Sequence, residues 1–527
     1  MATATVSLGS AAGKWIMASA ILASSMGFID GTALNVVLPS LQKSLGASGT
    51  QIFWILNAYL LMLASLILVG GALGDKLGRK KVFMVGICVF ILGSTACGFA
   101  PGVVWLIGFR ALQGLGGSLM IPGSLSLISS SIDDKEKGRA IGTWSAVTTV
   151  VTMGGPVIGG ALGDAGLWRF IFFINIPIGA AALLILWRKV KESREDGADP
   201  ALDIPGALSI ALGLALLTFG CLRIPTAGIA DGWVIAALAA GVALLVAFVV
   251  IEAKSAHPMM PLHLFSNRTF AGANLLTFCL YAGLGAAMLF LSLDLVQAQG
   301  YSQLESGLTF LPFTVVMILC SRFAGGLADR HGPRLLLILG PAMAGLGLLV
   351  LSLVRETTGP GAYWKTFLPG VLLFGLGMAF TVAPLTTAVM GSVSDHLSGV
   401  ASGVNNALTR IANVFANAIL GLLAVLLFTA SLKSRVDTLP VNASVRQSIV
   451  AQAVDLGNAK APAGLTEAEA TSVRQAYRAG FVDVYVRIMR IAAGFAWAGA
   501  LLAVVMIRRK AQEPGLEGVR KAPPLPS

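Results

Sequence analysis

GALGDKLGRKKVF, residues 71–83, interrupts two apolar stretches with a patch holding Asp75, Lys76, Arg79, Lys80 and Lys81. One apolar run, Ile52 to Leu73, precedes it, and another begins at Val82. Two membrane helices are therefore joined by a very short, strongly basic loop. Gly71, Gly74 and Gly78 let backbones approach closely, and Asp75 is an anion placed to meet the positive N-terminus of a neighbouring helix. The three consecutive cations Arg79, Lys80 and Lys81 suit the cytoplasmic face of a membrane. The loop reads as a gate hinge on the inner side. A weaker copy, GGLADRHGPR at 325–334, brings Gly325, Asp329 and Arg334 to the corresponding place in the second half.

The rest of the 527 residues agrees: 56% are hydrophobic and only 12% charged, with a mean hydropathy of +0.82. A soluble domain carries about a quarter charged residues, so this is an all-α polytopic membrane protein. The net charge of +12 sits in short loops between apolar runs, where membrane topology accounts for it and a nucleic-acid partner is not implied. Five cysteines lie inside apolar runs without C-x-x-C spacing, which argues against disulfides or a zinc site. The four histidines lie in loops or at their edges. The first run, starting at Trp15, is long enough to span and shows no small-residue cleavage site before Asp30.

Fourteen spans are expected, the first ending near Leu38 and the last at 484–507. The implied organisation is an N-terminal segment 1–14, a six-helix bundle 15–187, a charged linker 188–203, an inserted helix pair 204–251 and a second linker 252–269. A second six-helix bundle follows at 270–507, with a tail at 508–527. With both termini cytoplasmic, inner segments hold 21 Lys and Arg against 5 in the short outer loops. One long outer loop, 430–483, contains a Thr466/Glu469 capping box; it reads as a surface-lying helical hairpin, with a partner-docking element as the alternative.

The paired G-x-L-x-D-x-x-G-R-K loops resemble those of the major facilitator superfamily. Three further motifs, FIDGTALNVVLP (28–39), LIGFRALQGLGG (106–117) and GGPVIGGALG (154–163), look like its fourteen-helix drug:proton antiporter family. That resemblance implies two six-helix bundles plus two inserted helices, residing in the cell's inner membrane and rocking about a central cavity. The activity it implies is proton-coupled efflux of amphipathic, favourably cationic drugs. A dedicated exporter of one metabolite or lipid is the alternative, and a transporter-like receptor stands behind it. No nucleotide motif or metal cluster is present, so neither cofactor nor metal is expected and an enzyme reading is poor. The substrate is a small molecule and the second partner a proton; nothing indicates an accessory periplasmic adaptor.

Asp30 and Arg110 stand at equal depth, about 12 and 11 Å below the outer surface at 1.5 Å per residue. A lone charge in a bilayer costs about 2.5–3.5 kcal/mol, so each needs a partner or a cavity. Either they form a static ion pair, or Asp30 exchanges a proton or substrate while Arg110 holds it ionised. Gly155, Pro156, Gly159 and Gly160 would make helix five a hinge that packs against the other half. Asp294 departs from the family pattern and reads as a snorkelling carboxylate or a substrate contact. Asn406, Arg410 and Asn413 share one face of helix thirteen and, with Asn35, Gln113 and Asp294, are candidates for the cavity. Asp164, Asp231 and Glu305 read as solvated helix ends.

Overall fold

In the computed structural model, which describes residues 5–133, 136–192, 203–256, 258–393 and 398–507, the apolar runs are helical. In hydrocarbon a chain must satisfy its backbone internally, and helices do so. In order they are α1 (Ala11–Leu45), α2 (Gly49–Leu77), α3 (Arg79–Gly98), α4 (Val103–Ser131), α5 (Lys137–Asp164), α6 (Phe170–Phe173) and α7 (Asn175–Lys189). The inserted pair is α8 (Ile204–Ala227) and α9 (Gly232–Lys254). The second half holds α10 (Arg268–Gln297), α11 (Gln303–Thr309), α12 (Leu311–His331), α13 (Arg334–Leu351), α14 (Phe367–Met390), α15 (Ser398–Val436), α16 (Ala443–Ala451) and α17 (Glu467–Met506).

Thirteen spans among the described residues are long and apolar enough to cross a membrane, with α6–α7 and α11–α12 each counted as one. The fourteenth long helix is α5, of 28 residues, whose small side chains pack against α1. Side-chain caps mark several helix starts: Ser10 for α1, Ser48 with Gln51 for α2, Asp203 for α8 and Asp231 for α9. Beyond the expected end near Leu38, α1 continues through Pro39 to Leu45.

Within the first half α4 packs on α2 and α3, and α1 on α5 and α7; within the second, α10 packs on α17 and α15, and α14 on α12 and α13. Between the halves, α2 runs beside α15, and α5 meets α11. The inserted pair closes over the α2–α15 seam through a buried cluster of Leu61, Ala64, Ile210, Leu214, Phe248 and Val414.

We call the end with the 78–81 turn the basic end and the opposite one the cap end. At the cap end the 430–483 region, expected as a surface-lying helical hairpin, folds over the ends of the helices. Both flanking helices run straight on, α15 to Val436 and α17 unbroken over 40 residues from its Thr466/Glu469 capping box. Between them α16 and a 3-10 turn, Gln452–Asn458, bury Ile449, Ala453 and Leu456 against helix ends of both halves. Gln42 on α1 donates to the Asp455 carbonyl at 3.3 Å, while Gly457 lies against Gln297 of α10. Burying that apolar stripe over the bundle removes more of it from water than lying flat would.

At the basic end Val6 forms a parallel bridge with Ile132, and the Leu8 amide donates to a Glu136 carboxylate oxygen at 2.7 Å. This bond holds the Glu136 carboxyl below its usual range. The 193–202 part of the linker and the 508–527 tail lie outside the described residues.

Candidate functional site

Asp30 occupies the middle of α1, and Arg110 the second turn of α4. The Arg110 guanidinium donates to Asp30 Oδ2 at 2.6 Å and to Gln113 Oε1 at 2.8 Å, while Gln113 Nε2 donates to Asp30 Oδ1 at 2.9 Å. Gln113 reaches the same carboxylate because it follows Arg110 by three residues, one turn along α4. Arg110 Nε donates to the Ile55 carbonyl of α2 at 3.3 Å, and its plane lies 4.4 Å from the Tyr59 ring centroid. Asp30 is 0% and Arg110 1% exposed. Both carboxylate oxygens thus have donors, which offsets the desolvation that a buried charge suffers. Gln113 belongs to this cluster and not to an open cavity surface.

Helix α5 is clasped on two sides. A Cβ on Gly159 would stand 2.4 Å from the Ala33 carbonyl of α1, and one on Gly160 2.4 Å from the Gln303 carbonyl of α11. Gly155 lies against Thr32, and the Pro156 carbonyl lies under Gly307. Asp164, expected to be merely solvated, ends α5 by accepting the Gln303 and Leu304 amides at 2.8 and 2.9 Å. Those are first-turn amides of α11 with no acceptor inside their own helix, so an anion from the other half satisfies them. An acid directly after a glycine-rich span was the available signal. Ser40 adds to the clasp, donating to the Gly163 carbonyl at 2.8 Å and accepting from Gln303 Nε2 at 3.0 Å. These bonds and the 3.3 Å bond from Ser292 to the Asn35 carbonyl join the halves at the cap end.

In the gate loop Gly78 has φ +112°, a conformation for which glycine is suited. Glu192, just beyond α7, accepts the Lys80 and Lys81 amides at 2.9 and 3.1 Å, and Lys80 Nζ donates to the Val190 carbonyl at 2.7 Å. The anion found at the N-terminus of α3 is therefore Glu192, which the sequence reading missed. The side chains of Asp75 and Asp329 lie outside the described residues. Gly71, expected to be tight, has only an ordinary 3.8 Å neighbour in Pro122; Gly70 is the close one, its added Cβ meeting the Ser118 carbonyl at 2.0 Å. Arg79 opens α3, Gly325 has an ordinary 3.8 Å neighbour in Ala383, and Arg334 donates to the Val504 carbonyl at 2.9 Å.

Asp294 neither snorkels nor faces a cavity. It is 0% exposed inside the second half, where Gln299 Nε2 donates to Oδ2 at 3.0 Å and Oδ1 has no partner among the described residues. Gln299 is held in turn by Thr357 and the Arg355 carbonyl. On α15, Asn405 bonds Asn274 and Thr277 of α10, Asn413 lies against Gly285, and Asn406 is exposed and bonds only to its own helix at Ser402. On α1 Gly31 is exposed with open space beside it, and Asn35 stands one turn further along. Asn35 and Asn406 are thus accessible, while Gln113 and Asp294 are buried.

Residues 20–417 match the family model described as Major Facilitator Superfamily. The chain is 32% identical over 442 residues to multidrug resistance protein Stp of Mycobacterium tuberculosis, covering 83% of this chain and 80% of that one. It is 31% identical over 395 residues to the tetracenomycin C resistance and export protein of Streptomyces glaucescens, covering 75% and 73%. A bacterial homologue of the human lysosomal transporter Spinster, solved inward-facing and unoccupied, superposes with a TM-score of 0.62 at 17% identity, covering 94% and 98%. At that identity the superposition speaks for the fold alone.

Proposed function

The chain belongs to the Major Facilitator Superfamily, and from that membership we propose that it exports amphipathic drugs or toxic compounds, by alternating access, in exchange for protons. It is a transporter and not an enzyme. The names of its relatives, a multidrug resistance protein and a resistance and export protein, support efflux over a dedicated metabolite exporter. The 21-to-5 bias of Lys and Arg supports a cytoplasmic basic end, with both termini there and the cell's inner membrane as the site. The cap end is then outer, and closure there with Gly31 and Asn406 exposed between the halves describes the inward-facing member of an alternating pair.

The observation that carries proton coupling is the sealed Asp30–Arg110–Gln113 cluster beside Gly31. A proton on Asp30 would cancel the charge that holds Arg110 and loosen α1 from α4, while return to the ion pair would release it. Proton occupancy thereby shifts the balance between two packings of the halves. Asp30→Asn keeps the shape and removes the titratable group. In inverted membrane vesicles with an imposed pH gradient this variant should lose uphill transport while retaining folded, membrane-inserted protein; full uphill transport would exclude Asp30 as the coupling group.

A further inference from the structure

Arg410 lies deep in the membrane without an acid. The contacts Gly403–Leu68 and Gly421–Phe53 fix how α15 lies along α2 and place Arg410 level with the turn from Tyr59 to Met62. On the other flank Asn405 meets Asn274 and Thr277, and Asn413 meets Gly285, which places Arg410 beside Tyr281 of α10. Arg410 therefore stands at the seam, near the level of the Asp30–Arg110 pair that rests on the same Tyr59 ring.

Around α15, Ala407 and Val414 point to the first half and the inserted pair, and Asn405 and Asn413 to α10. Arg410, with exposed Asn406 one turn away, occupies the face between those two flanks and looks into the space between the halves. It is partly exposed, and among the described residues it has no hydrogen-bond or ion-pair partner. Neither deep acid answers it: Asp30 is fully engaged by Arg110 and Gln113, and Asp294 is buried within the second half.

An arginine at this depth needs water or an anion, and its planar fork matches a carboxylate or phenolate in two parallel hydrogen bonds. We propose that Arg410 is a substrate subsite for an anionic oxygen, so that the compounds exported include amphipathic acids bound with their apolar body along the cavity and their acid group on this guanidinium. This rests on the transporter reading above and names part of its substrate range. Asn406, exposed one turn away on the same face, supplies an amide group beside such a ligand.

The test is equilibrium binding to purified protein in lipid nanodiscs, without any proton gradient, of 2-naphthylacetate and of its methyl ester. Loss of one charge-assisted interaction of roughly 1.5–3 kcal/mol corresponds to a preference of about ten- to hundredfold for the acid. Arg410→Gln should abolish that preference by weakening the acid alone, and Arg410→Lys should keep part of it. Equal affinity of the native protein for acid and ester, or an equal loss of both in Arg410→Gln, overturns the assignment. Export of compounds from proteoliposomes in a pH gradient, measured on the same preparation, tests the transporter reading separately: its failure with the acid preference intact strikes only that reading.

Discussion

Removing the Asp164 carboxylate should open the cap end of the molecule. In the closed state this side chain accepts two amides of α11, at 2.8 and 2.9 Å, across the line where the halves must part. A hydrogen bond to a charged group contributes about 1.5–3 kcal/mol net, and solvent screening of this exposed carboxylate leaves about 1–2 kcal/mol for the pair of bonds. Because the bonds exist only when α5 and α11 are together, that energy acts on the equilibrium between closed and open cap ends. Asp164→Ala should therefore raise the ratio of open to closed by roughly five- to thirtyfold. Spin labels at Lys43→Cys and Lys365→Cys, in a background without native cysteines, report that ratio as two distances in a pulsed dipolar measurement. Asp164→Asn, which keeps an acceptor but not the charge, should fall between. Asp231→Ala removes a cap of similar kind that serves α9 and Arg223 inside the inserted pair, and should leave the distances alone. An unchanged distribution in Asp164→Ala, or an equal change in Asp231→Ala, would refute the latch.

Gly160→Ala drives a methyl into the Gln303 carbonyl and Leu304, so it should hold the cap end open and stop net transport, with the same spin labels showing the long distance. Gly70→Ala should lower the melting temperature or abolish insertion, whereas Gly71→Ala, with nothing nearer than 3.8 Å, should behave as the native protein in the same melt. Glu136 has its carboxyl lowered by the Leu8 amide, so its contribution is complete above the unfolded value of about 4.3 and disappears as pH falls through the lower folded value. Hydrogen exchange at Val6 and Leu8 should accordingly stay slow through neutral and mildly acidic pH and quicken in strong acid, and Glu136→Gln should quicken it already at pH 7.

Much of the architecture follows from the chain alone, because in a bilayer the length of an apolar run and the placement of its flanking charges leave few choices. The basic loop at 76–81, its copy near 325–334 and the arginine-to-aspartate depth match could all be read from residue order, since depth along a helix is a count of residues. The α5 glycines were legible as a packing face for the same reason.

What the tertiary structure decided concerns azimuth and partners across the halves, which residue order does not specify. Asp294 and Asn406 are both cavity candidates in the sequence, one as a departure from the family pattern and one by its helix face, yet Asp294 is buried in its own bundle beside Gln299 and Asn406 is exposed. Asp164 looked like a solvated helix end until the α11 amides were brought to it from 139 and 140 residues away. Glu192 came to the α3 N-terminus in the same way, from the far side of four spans. The long 430–483 segment kept the helix that its Thr466 capping box announced. Its position over both halves was set by where Ile449, Ala453 and Leu456 could leave water, and that depends on helix ends assembled only in the folded molecule.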